Sequence, residues 1–337
     1  MNQIKYINSQ WDLSELEQVS ACPYCDSNNS KCKFSNVEDW YFNSTSGKWN
    51  YWKCLACEAL YLNPRPKIDH ISKAYKSYYT HGKNSSSKIK LKNIIKNEFL
   101  SQKFDVDLLP RLFNMKIPSL FVNLAGHYIT IPFGFRELVT LKPGKLLDIG
   151  CGNGGMLHYA KQLGWSATGV EFDPKAVLAA RSQGLDIIEG DYKILESSTE
   201  TYDCIICSHV LEHVHSPLNL LAILTKSLST NGTLLLSCPN ANSKVLDVFG
   251  DSWRGIEAPR HIAIPSLTWV EKYFKSKNMH AARYAYSKNE TFNASFMIFK
   301  SRFGILYSTL LRIKTYNIFK KKCDLDKTDY IQLILKK

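Results

Sequence analysis

The sequence predicts an α/β fold: a doubly wound, mostly parallel sheet of seven strands, preceded by a small cysteine-stapled module and a helical connector. Three observations carry this. From Leu141 onward, short apolar runs alternate with helix-length amphipathic segments, the rhythm of a parallel sheet. The run Leu146-Leu-Asp-Ile-Gly-Cys-Gly-Asn-Gly-Gly155 leads an apolar strand through a turn of small residues into a helix. Two C-x₂-C pairs, Cys22/Cys25 and Cys54/Cys57, stand in the first 65 residues. The expected parts are a cysteine module at 1–65, a helical connector at 66–140 and the sheet domain at 141–337, with a basic amphipathic insertion at 303–322.

Taken in chain order, the two cysteine knuckles present four thiolates, which is the ligand set of a tetrahedral structural zinc in a ribbon-like module. So short a segment buries little core and gains from such a staple. The aromatic stretch between the knuckles, with Trp40, Tyr41, Phe42, Trp49, Tyr51 and Trp52, is expected to form a hairpin excursion, and Cys32 to be a bystander. In the sheet domain, strands are expected at 145–149, 167–170, 186–188, 202–208 and 233–237, then near 282–286 and at 330–335. Helices are expected at 155–163, 174–183, 217–228 and 265–277. Pro174 and Pro217 stand at tolerated first-turn positions behind the N-cap candidates Asp173 and Ser216. Cys204 and Cys207 also read C-x₂-C, but on a strand they point to opposite faces and are expected to pack.

Composition narrows the class. In 337 residues, 45% hydrophobic and 22% charged is ordinary for a globular chain and excludes a disordered one. The most apolar stretch, 117–135, is interrupted by Asn123, Gly126, His127, Pro132 and Gly134, so no spanning segment is expected. The first residues lack a basic-then-apolar signal pattern. With ten cysteines, this points to a cytoplasmic protein whose thiols bind metal or pack rather than form disulfides. The net charge of +13 suits polyanions such as nucleic acid, anionic lipid or sugar phosphate, and equally a lysine-rich solvated surface.

The glycine turn is the most informative segment. Gly150, Gly152 and Gly155 satisfy the dinucleotide pattern G-x-G-x-x-G, so glycines alone leave the ligand open. Asp148, two residues before the first glycine, would repel a pyrophosphate and suits a cationic ligand. Glu171, in Gly169-Val-Glu-Phe-Asp-Pro174, ends the second strand where an acid accepts from ribose hydroxyls. Gly190-Asp191-Tyr192 follows the third strand, where an acid can accept from an adenine amino group.

On LLDIGCGNGG, GVEFDP, GDY and YDCIICSHVLEHV, in that order and spacing, the chain resembles the class I S-adenosylmethionine-dependent methyltransferases over 141–335. The resemblance implies a Rossmann-like domain. Asp148, Gly150 and Gly152 would hold the methionine portion, Glu171 the ribose, and Asp191 with Tyr192 the adenine. Cys151, Gly154, Phe172 and Ser208 stand in the same motifs and would complete the cofactor contacts.

The fourth strand runs into Cys207-Ser-His209-Val-Leu-Glu212-His213, and its end faces the transferring methyl in the resembling family. Methyl transfer needs in-line alignment, and a hydroxyl acceptor must also lose its proton, which an imidazole can take. His213 and His261 are the candidates for base or acceptor clamp, with His209 beside them. Some members hold a divalent metal with E-x-x-E-H and a later histidine. Here the first acid is His209, which disfavours magnesium and suits softer ions. Arg254 and Arg260 are candidates to hold an anionic acceptor.

The run Ala59-Leu-Tyr-Leu-Asn-Pro-Arg-Pro66, with Ala74–Tyr79 after it, resembles zinc-headed methyltransferases of bacterial polysaccharide and surface-glycan pathways. This implies a small-molecule acceptor of sugar or glycan-precursor type. Two other functions stay open. One is an RNA methyltransferase gripping phosphate with the zinc module and basic surface. The Asn/Asp-Pro-Pro-aromatic segment of amino-methylating enzymes is absent, its place reading Ser-His-Val-Leu. The other is a non-catalytic cofactor-binding scaffold, against which the full Asp148/Glu171/Asp191 set speaks. The insertion at 303–322 is expected to dock on its own domain, with peripheral lipid contact as the alternative. The oligomeric state is not legible.

Overall fold

The computed structural model describes residues 11–75, 87–109, 129, 131–284, 290–305, 308, 311 and 327–337. It has two compact units, one formed by Met1–Tyr79, His209–Ala222 and Leu236–Lys336, the other by Thr80–Ser208, Ile223–Leu235 and Lys337.

The strands are β1 (Leu16–Glu17), β2 (Ser30–Val37), β3 (Trp49–Cys54), β4 (Leu60–Leu62), β5 (Arg65–Pro66), β6 (Lys145–Ile149), β7 (Ser166–Glu171), β8 (Asp186–Glu189), β9 (Tyr202–Ser208), β10 (Leu228–Pro239), β11 (Ala263–Ile264), β12 (His280–Arg283) and β13 (Tyr330–Lys336). Among the described residues, seven form one mixed sheet in the order β12-β13-β10-β9-β6-β7-β8. β6 pairs in parallel with both β7 and β9, and β7 with β8, whereas β12 and β13 are antiparallel. The chain winds outward from β6 in one direction through β7 and β8, then returns to its other side at β9. That reversal at β6 is the topological switch point where doubly wound sheets bind ligands.

The helices flanking these strands are α3 (Gly155–Gln162), α4 (Pro174–Arg181) and α5 (Pro217–Ser227). The longer α1 (Ser87–Phe104) and the short α2 (Phe135–Thr140) precede them, and α6 (Lys244–Phe249), α7 (Leu267–Ser276) and α8 (Glu290–Phe303) follow. Expected and observed boundaries agree within a few residues, with instructive exceptions. Asp173 caps α4 as expected, accepting from the Lys175 amide at 3.0 Å. The expected helix 265–277 starts two residues later because Ser266, not Pro265, is the N-cap, accepting from the Trp269 amide. The strand expected near 282–286 lies at His280–Arg283, in register with Leu333–Lys336. Helix α8 was not legible, and the amphipathic helix expected at 303–322 falls mostly outside the described residues.

In the unit that holds the two C-x₂-C pairs, β2, β3 and β4 form an antiparallel sheet whose fourth strand is β11, paired with β4 through Ala263↔Tyr61 and Ile264↔Leu60. Its core gathers Trp49, Tyr51, Leu60 and Leu62 with Leu246, Phe249, Trp253, Ile256 and Ile262. β11 is held down by side chains as well as by the ladder. The Tyr24 hydroxyl donates to the Ala263 carbonyl (2.9 Å) and the Tyr51 hydroxyl to the His261 carbonyl (2.7 Å). In the other unit, Phe99, Leu100, Leu108 and Phe135 form a smaller cluster with Tyr159 against it. Among the described residues no helix is long and apolar enough to cross a membrane.

Candidate functional site

The carboxyl ends of β6, β7, β8 and β9 bring one set of candidate residues to the switch point, all within one unit. Gly150, Gly152 and Gly154 take positive φ angles of 68°, 56° and 80°, a backbone path open to glycine at little cost. Gly154 has a second constraint, since a Cβ there would lie 2.3 Å from Leu185 Cδ1. The turn between β6 and α3 therefore leaves its backbone uncovered by side chains at these glycines, while the Gly150 and Cys151 amides are held by the Val170 carbonyl. Cys151, at its centre, is buried.

Two buried carboxylates flank this turn. Asp148 and Glu171 are each about 5% exposed. Glu171 is satisfied by backbone donors: Oε2 accepts from the Gly152 amide at 2.8 Å, and Oε1 from the Phe172 and Asp173 amides at 2.9 Å each. Burial, reinforced by the Glu171 charge, pushes the Asp148 carboxyl up to about 8. A site that raises a carboxyl so far is short of positive charge, which a cationic ligand would supply. Asp191 is exposed and caps a 3-10 turn, accepting from the Lys193 amide at 2.6 Å, while Tyr192 is buried beside it. Phe172 is 57% exposed, a large apolar ring left in solvent beside two buried acids. Ser208 ends β9 half-buried.

The second set lies in the other unit, on the segment after β9 and on the 257–261 turn before β11. His209 adopts φ 58°, rare for a residue with a side chain, and its amide is fixed to the Ser237 carbonyl at 2.8 Å. This turns its half-exposed ring so that Nδ1 meets Glu212 Oε1 at 3.2 Å, with Tyr330 packed edge-on at 5.1 Å. Desolvation resists protonation of His209, but the Glu212 carboxylate outweighs it and the imidazole is raised. Glu212 itself is fully buried, and among the described residues its Oε2 has no hydrogen-bond partner.

His213 and His261 pack edge to face with ring centroids 4.6 Å apart. His213 Nδ1 lies 2.9 Å from the Tyr75 hydroxyl and 3.1 Å from the Arg260 carbonyl. His261 Nδ1 lies 2.8 Å from the Gly255 carbonyl, and its Nε2 is 3.8 Å from Glu257 Oε1 and 4.0 Å from Glu212 Oε1. Burial lowers both imidazoles to about 4, with His261 adding to the effect on His213 and Glu257 opposing it on His261.

Arg260 does not stand where an anionic acceptor could reach it. It is wholly buried and makes a bidentate pair with Asp39, at 2.9 Å and 2.8 Å, with Ser44 closing the network. The aromatic stretch of the cysteine module thus holds this arginine from the inside. Arg254 lies over the Tyr41 ring at 4.1 Å and pairs with Glu257. Sequence reasoning singled out the three histidines but missed Tyr75 and Glu257. The Glu257/His261 spacing of four residues was a signal for one, and nothing local pointed to the other.

The four knuckle cysteines converge. Cys22 Sγ lies 3.5 Å from Cys57 Sγ, Cys25 Sγ 3.5 Å from Cys54 Sγ, and all four sulfurs fall within 4.8 Å of one another. Thiolates at about 2.3 Å from a zinc ion stand roughly 3.8 Å apart at the corners of a tetrahedron, so the donor set fits. The thiols are free, and Cys32 is exposed and apart from them. Cys204 and Cys207 are buried on β9, as a packing role requires.

Known proteins resemble this chain in part. The mitochondrial ubiquinone biosynthesis O-methyltransferase of Schizosaccharomyces pombe is 36% identical over 111 residues, 31% of this chain and 40% of that protein. Its counterpart from Photobacterium profundum is 32% identical over 107 residues, 30% of this chain and 46% of that protein. The chain thus spans less than half the length of these curated relatives. Among solved structures, a SAM dependent methyltransferase from Archaeoglobus fulgidus aligns with a TM-score of 0.40 and 20% identity, covering 58% of this chain and 86% of that one. Residues 133–279, which hold the glycine turn, both buried carboxylates and all three histidines, match the family described as a methyltransferase domain.

Proposed function

We propose that the protein is an S-adenosylmethionine-dependent methyltransferase that transfers the methyl group to a hydroxyl of a small-molecule acceptor. The observation that carries this reading is the pair of buried acids at the switch point, Asp148 and Glu171, around a turn of left-handed glycines. Phosphate would be repelled there. A ligand with an ammonium and a sulfonium would relieve the buried charge.

In this reading Asp148 accepts from the ligand ammonium, and Gly150 and Gly152 let the amino-acid portion lie against the backbone. Glu171 has lone pairs left after its three amide bonds and takes the ribose hydroxyls. Asp191 and Tyr192 take the adenine, with Phe172 available as a stacking ring. When bound, S-adenosylmethionine would supply an electrophilic methyl carried on a sulfonium for transfer to the acceptor oxygen. The proton of that hydroxyl goes to His209 Nε2. Glu212 holds the other nitrogen of the ring and balances the imidazolium that forms. Of the three candidate histidines, His209 is the half-exposed one.

The relatives named for ubiquinone biosynthesis support a small organic acceptor. The glycan-pathway likeness of the cysteine module supports a sugar-type one, and both classes offer a hydroxyl. We further propose that Cys22, Cys25, Cys54 and Cys57 hold a structural zinc. The test is methyl incorporation from labelled S-adenosylmethionine into a cell extract divided into small-molecule, lipid and RNA fractions. Label in the small-molecule fraction is expected. Label confined to RNA, or no binding of S-adenosylhomocysteine by calorimetry, would overturn the reading.

A further inference from the structure

We infer that Tyr330 is a positioning residue for the base: its ring holds the His209 imidazole in the one orientation from which Nε2 meets the acceptor hydroxyl. The consequence for turnover rests on the proposed methyltransferase reading, and the contact itself rests on geometry alone. Tyr330 stands at the start of β13, outside every motif that carries that reading.

The base needs such a hold. Its side chain is 48% exposed, and among the described residues its hydrogen bonding is the single contact of Nδ1 with Glu212 Oε1. One bond at one ring nitrogen leaves the imidazole able to rock, because the torsion that turns a histidine ring has a broad minimum. Tyr330 closes this freedom. Its ring meets the imidazole edge to face, with centroids 5.1 Å apart and planes at 89°, the separation and geometry that aromatic pairs favour. The carboxylate fixes where Nδ1 sits, and the phenol ring fixes the plane. Among the described residues the Tyr330 hydroxyl makes no hydrogen bond, so the ring carries the effect.

Several groups fix Tyr330 in turn. Asp329 Oδ1 accepts from the hydroxyl of Ser243, the N-cap of α6, at 2.9 Å. Its Oδ2 accepts from the hydroxyl of Thr291, in the first turn of α8. Asn240, just beyond β10, donates its amide to the Asp329 carbonyl and its side-chain Nδ2 to the Thr328 carbonyl, both at 3.0 Å. The Thr328 hydroxyl donates to the Tyr330 carbonyl at 2.8 Å. Burial pushes the Asp329 carboxyl up, and the two hydroxyls oppose that shift only in part. A carboxylate held in so unfavourable a place ties α6 and α8 to the residue beside Tyr330. The His209 amide is bonded to the Ser237 carbonyl of β10 at 2.8 Å, and β13 neighbours β10 in the sheet. Base and aromatic ring are thus registered to the same strand, which keeps their separation constant.

The test compares Tyr330→Leu, which removes the ring, with Tyr330→Phe, which keeps it, in the full-length protein. Tyr330→Leu is expected to lower kcat by about 10–100-fold with acceptor KM and S-adenosylhomocysteine affinity unchanged, the scale on which a small misplacement costs rate. Tyr330→Phe is expected to restore kcat to nearly the wild-type value. Added to His209→Ala, Tyr330→Leu is expected to cost nothing more, because the ring it positions is gone, whereas a role in folding alone would add its full loss. The His209 ring-proton resonances, assigned with His209→Gln, report the contact without any turnover. An aromatic ring displaces the resonances of protons packed against it, so that displacement is expected in wild type and Tyr330→Phe and lost in Tyr330→Leu. Circular dichroism reports whether each variant is folded. Wild-type turnover by folded Tyr330→Leu, equal losses in the Leu and Phe variants, additive losses with His209→Ala, or unchanged His209 resonances in Tyr330→Leu would each overturn the inference. Failure of the wild type to bind S-adenosylhomocysteine sinks the methyltransferase reading instead, while the His209 resonances still decide the contact.

Discussion

His209 and Glu212 are joined three residues apart by a 3.2 Å contact between imidazole Nδ1 and a carboxylate that is itself wholly buried. A left-handed backbone at His209 sets up this pairing and leaves its Nε2 as the unsubscribed nitrogen of a half-exposed ring. If that nitrogen takes the acceptor proton, His209→Ala lowers kcat by about 10²–10⁴-fold while leaving S-adenosylhomocysteine affinity unchanged. Steady-state kinetics alongside calorimetry checks this. A parallel loss of nucleoside affinity would reassign the ring to cofactor binding.

Asp148 gives a pH dependence whose sign is fixed. Its carboxyl in the free folded protein stands near 8, against an ordinary value of 3.8. Between those values the folded chain holds a proton that the unfolded chain has released, so stability of the free protein falls as pH rises through this window. Binding of a cation needs the ionised form. S-adenosylmethionine affinity is therefore expected to rise with pH up to about 8, by as much as about tenfold per unit, with a proton released on binding. Calorimetry in buffers of different ionisation enthalpy measures that proton. Asp148→Asn is expected to abolish its release and to flatten both profiles.

The buried pair of Asp39 and Arg260 makes a prediction about stability. Removing the carboxylate deprives a guanidinium with no exposed surface of its bidentate partner, and leaves it the 3.6 Å approach of Nε to Glu257 Oε2 as an ion pair among the described residues. Asp39→Ala is expected to cost about 3–5 kcal/mol in urea denaturation. A loss below about 1 kcal/mol, as for a solvent-exposed pair, would show that water reaches the arginine.

Gly154 combines a positive φ with no room for a methyl group, since Leu185 would meet it. Gly154→Ala is expected to destabilise the fold by about 1–3 kcal/mol and to weaken nucleoside binding with it. Gly184 also has positive φ but nothing near its missing Cβ, so Gly184→Ala is the control for backbone strain alone. Equal effects at both would remove packing from the explanation.

The cysteine cluster predicts a coupled loss. With zinc held there as proposed, one ion per chain is expected by elemental analysis, and Cys54→Ser is expected to release it. It is also expected to lower the melting temperature and kcat together, because β4 and the 257–264 segment with His261 lie on the same sheet. A variant that loses zinc yet melts and turns over like wild type would show that the metal is dispensable to the fold.

What the sequence made legible follows the range of each signal. The glycine turn, Asp148, Glu171 and the βα rhythm could be read because each is written in consecutive residues or in the local hydrophobic period. The four cysteines were legible because each C-x₂-C pair is a local spacing, and the fold brings the two pairs together. Long-range pairings were not. Arg260 was a candidate to hold an anionic acceptor, but its partner Asp39 is 221 residues away and no local pattern links them. β11 is two residues long, too short for any period, and only its pairing with β4 gives it meaning. His209 was legible as a candidate, but the left-handed backbone that turns its ring to Glu212 was not. Tyr75 touches His213 across 138 residues of chain.

The distance in sequence between β4 and β11 also sets an order of events during synthesis. All four cysteines are synthesised about two hundred residues before Ala263 and Ile264, and translation at roughly 5–20 residues per second makes that interval at least about ten seconds. Throughout it β4 is an open sheet edge, and Tyr24 and Tyr51 lack the carbonyls they later bond. Metal capture by the knuckles in that window would be the event that keeps the nascent edge ordered. Cells short of zinc would then lose this protein to aggregation while it is being made, rather than to inactivity afterwards.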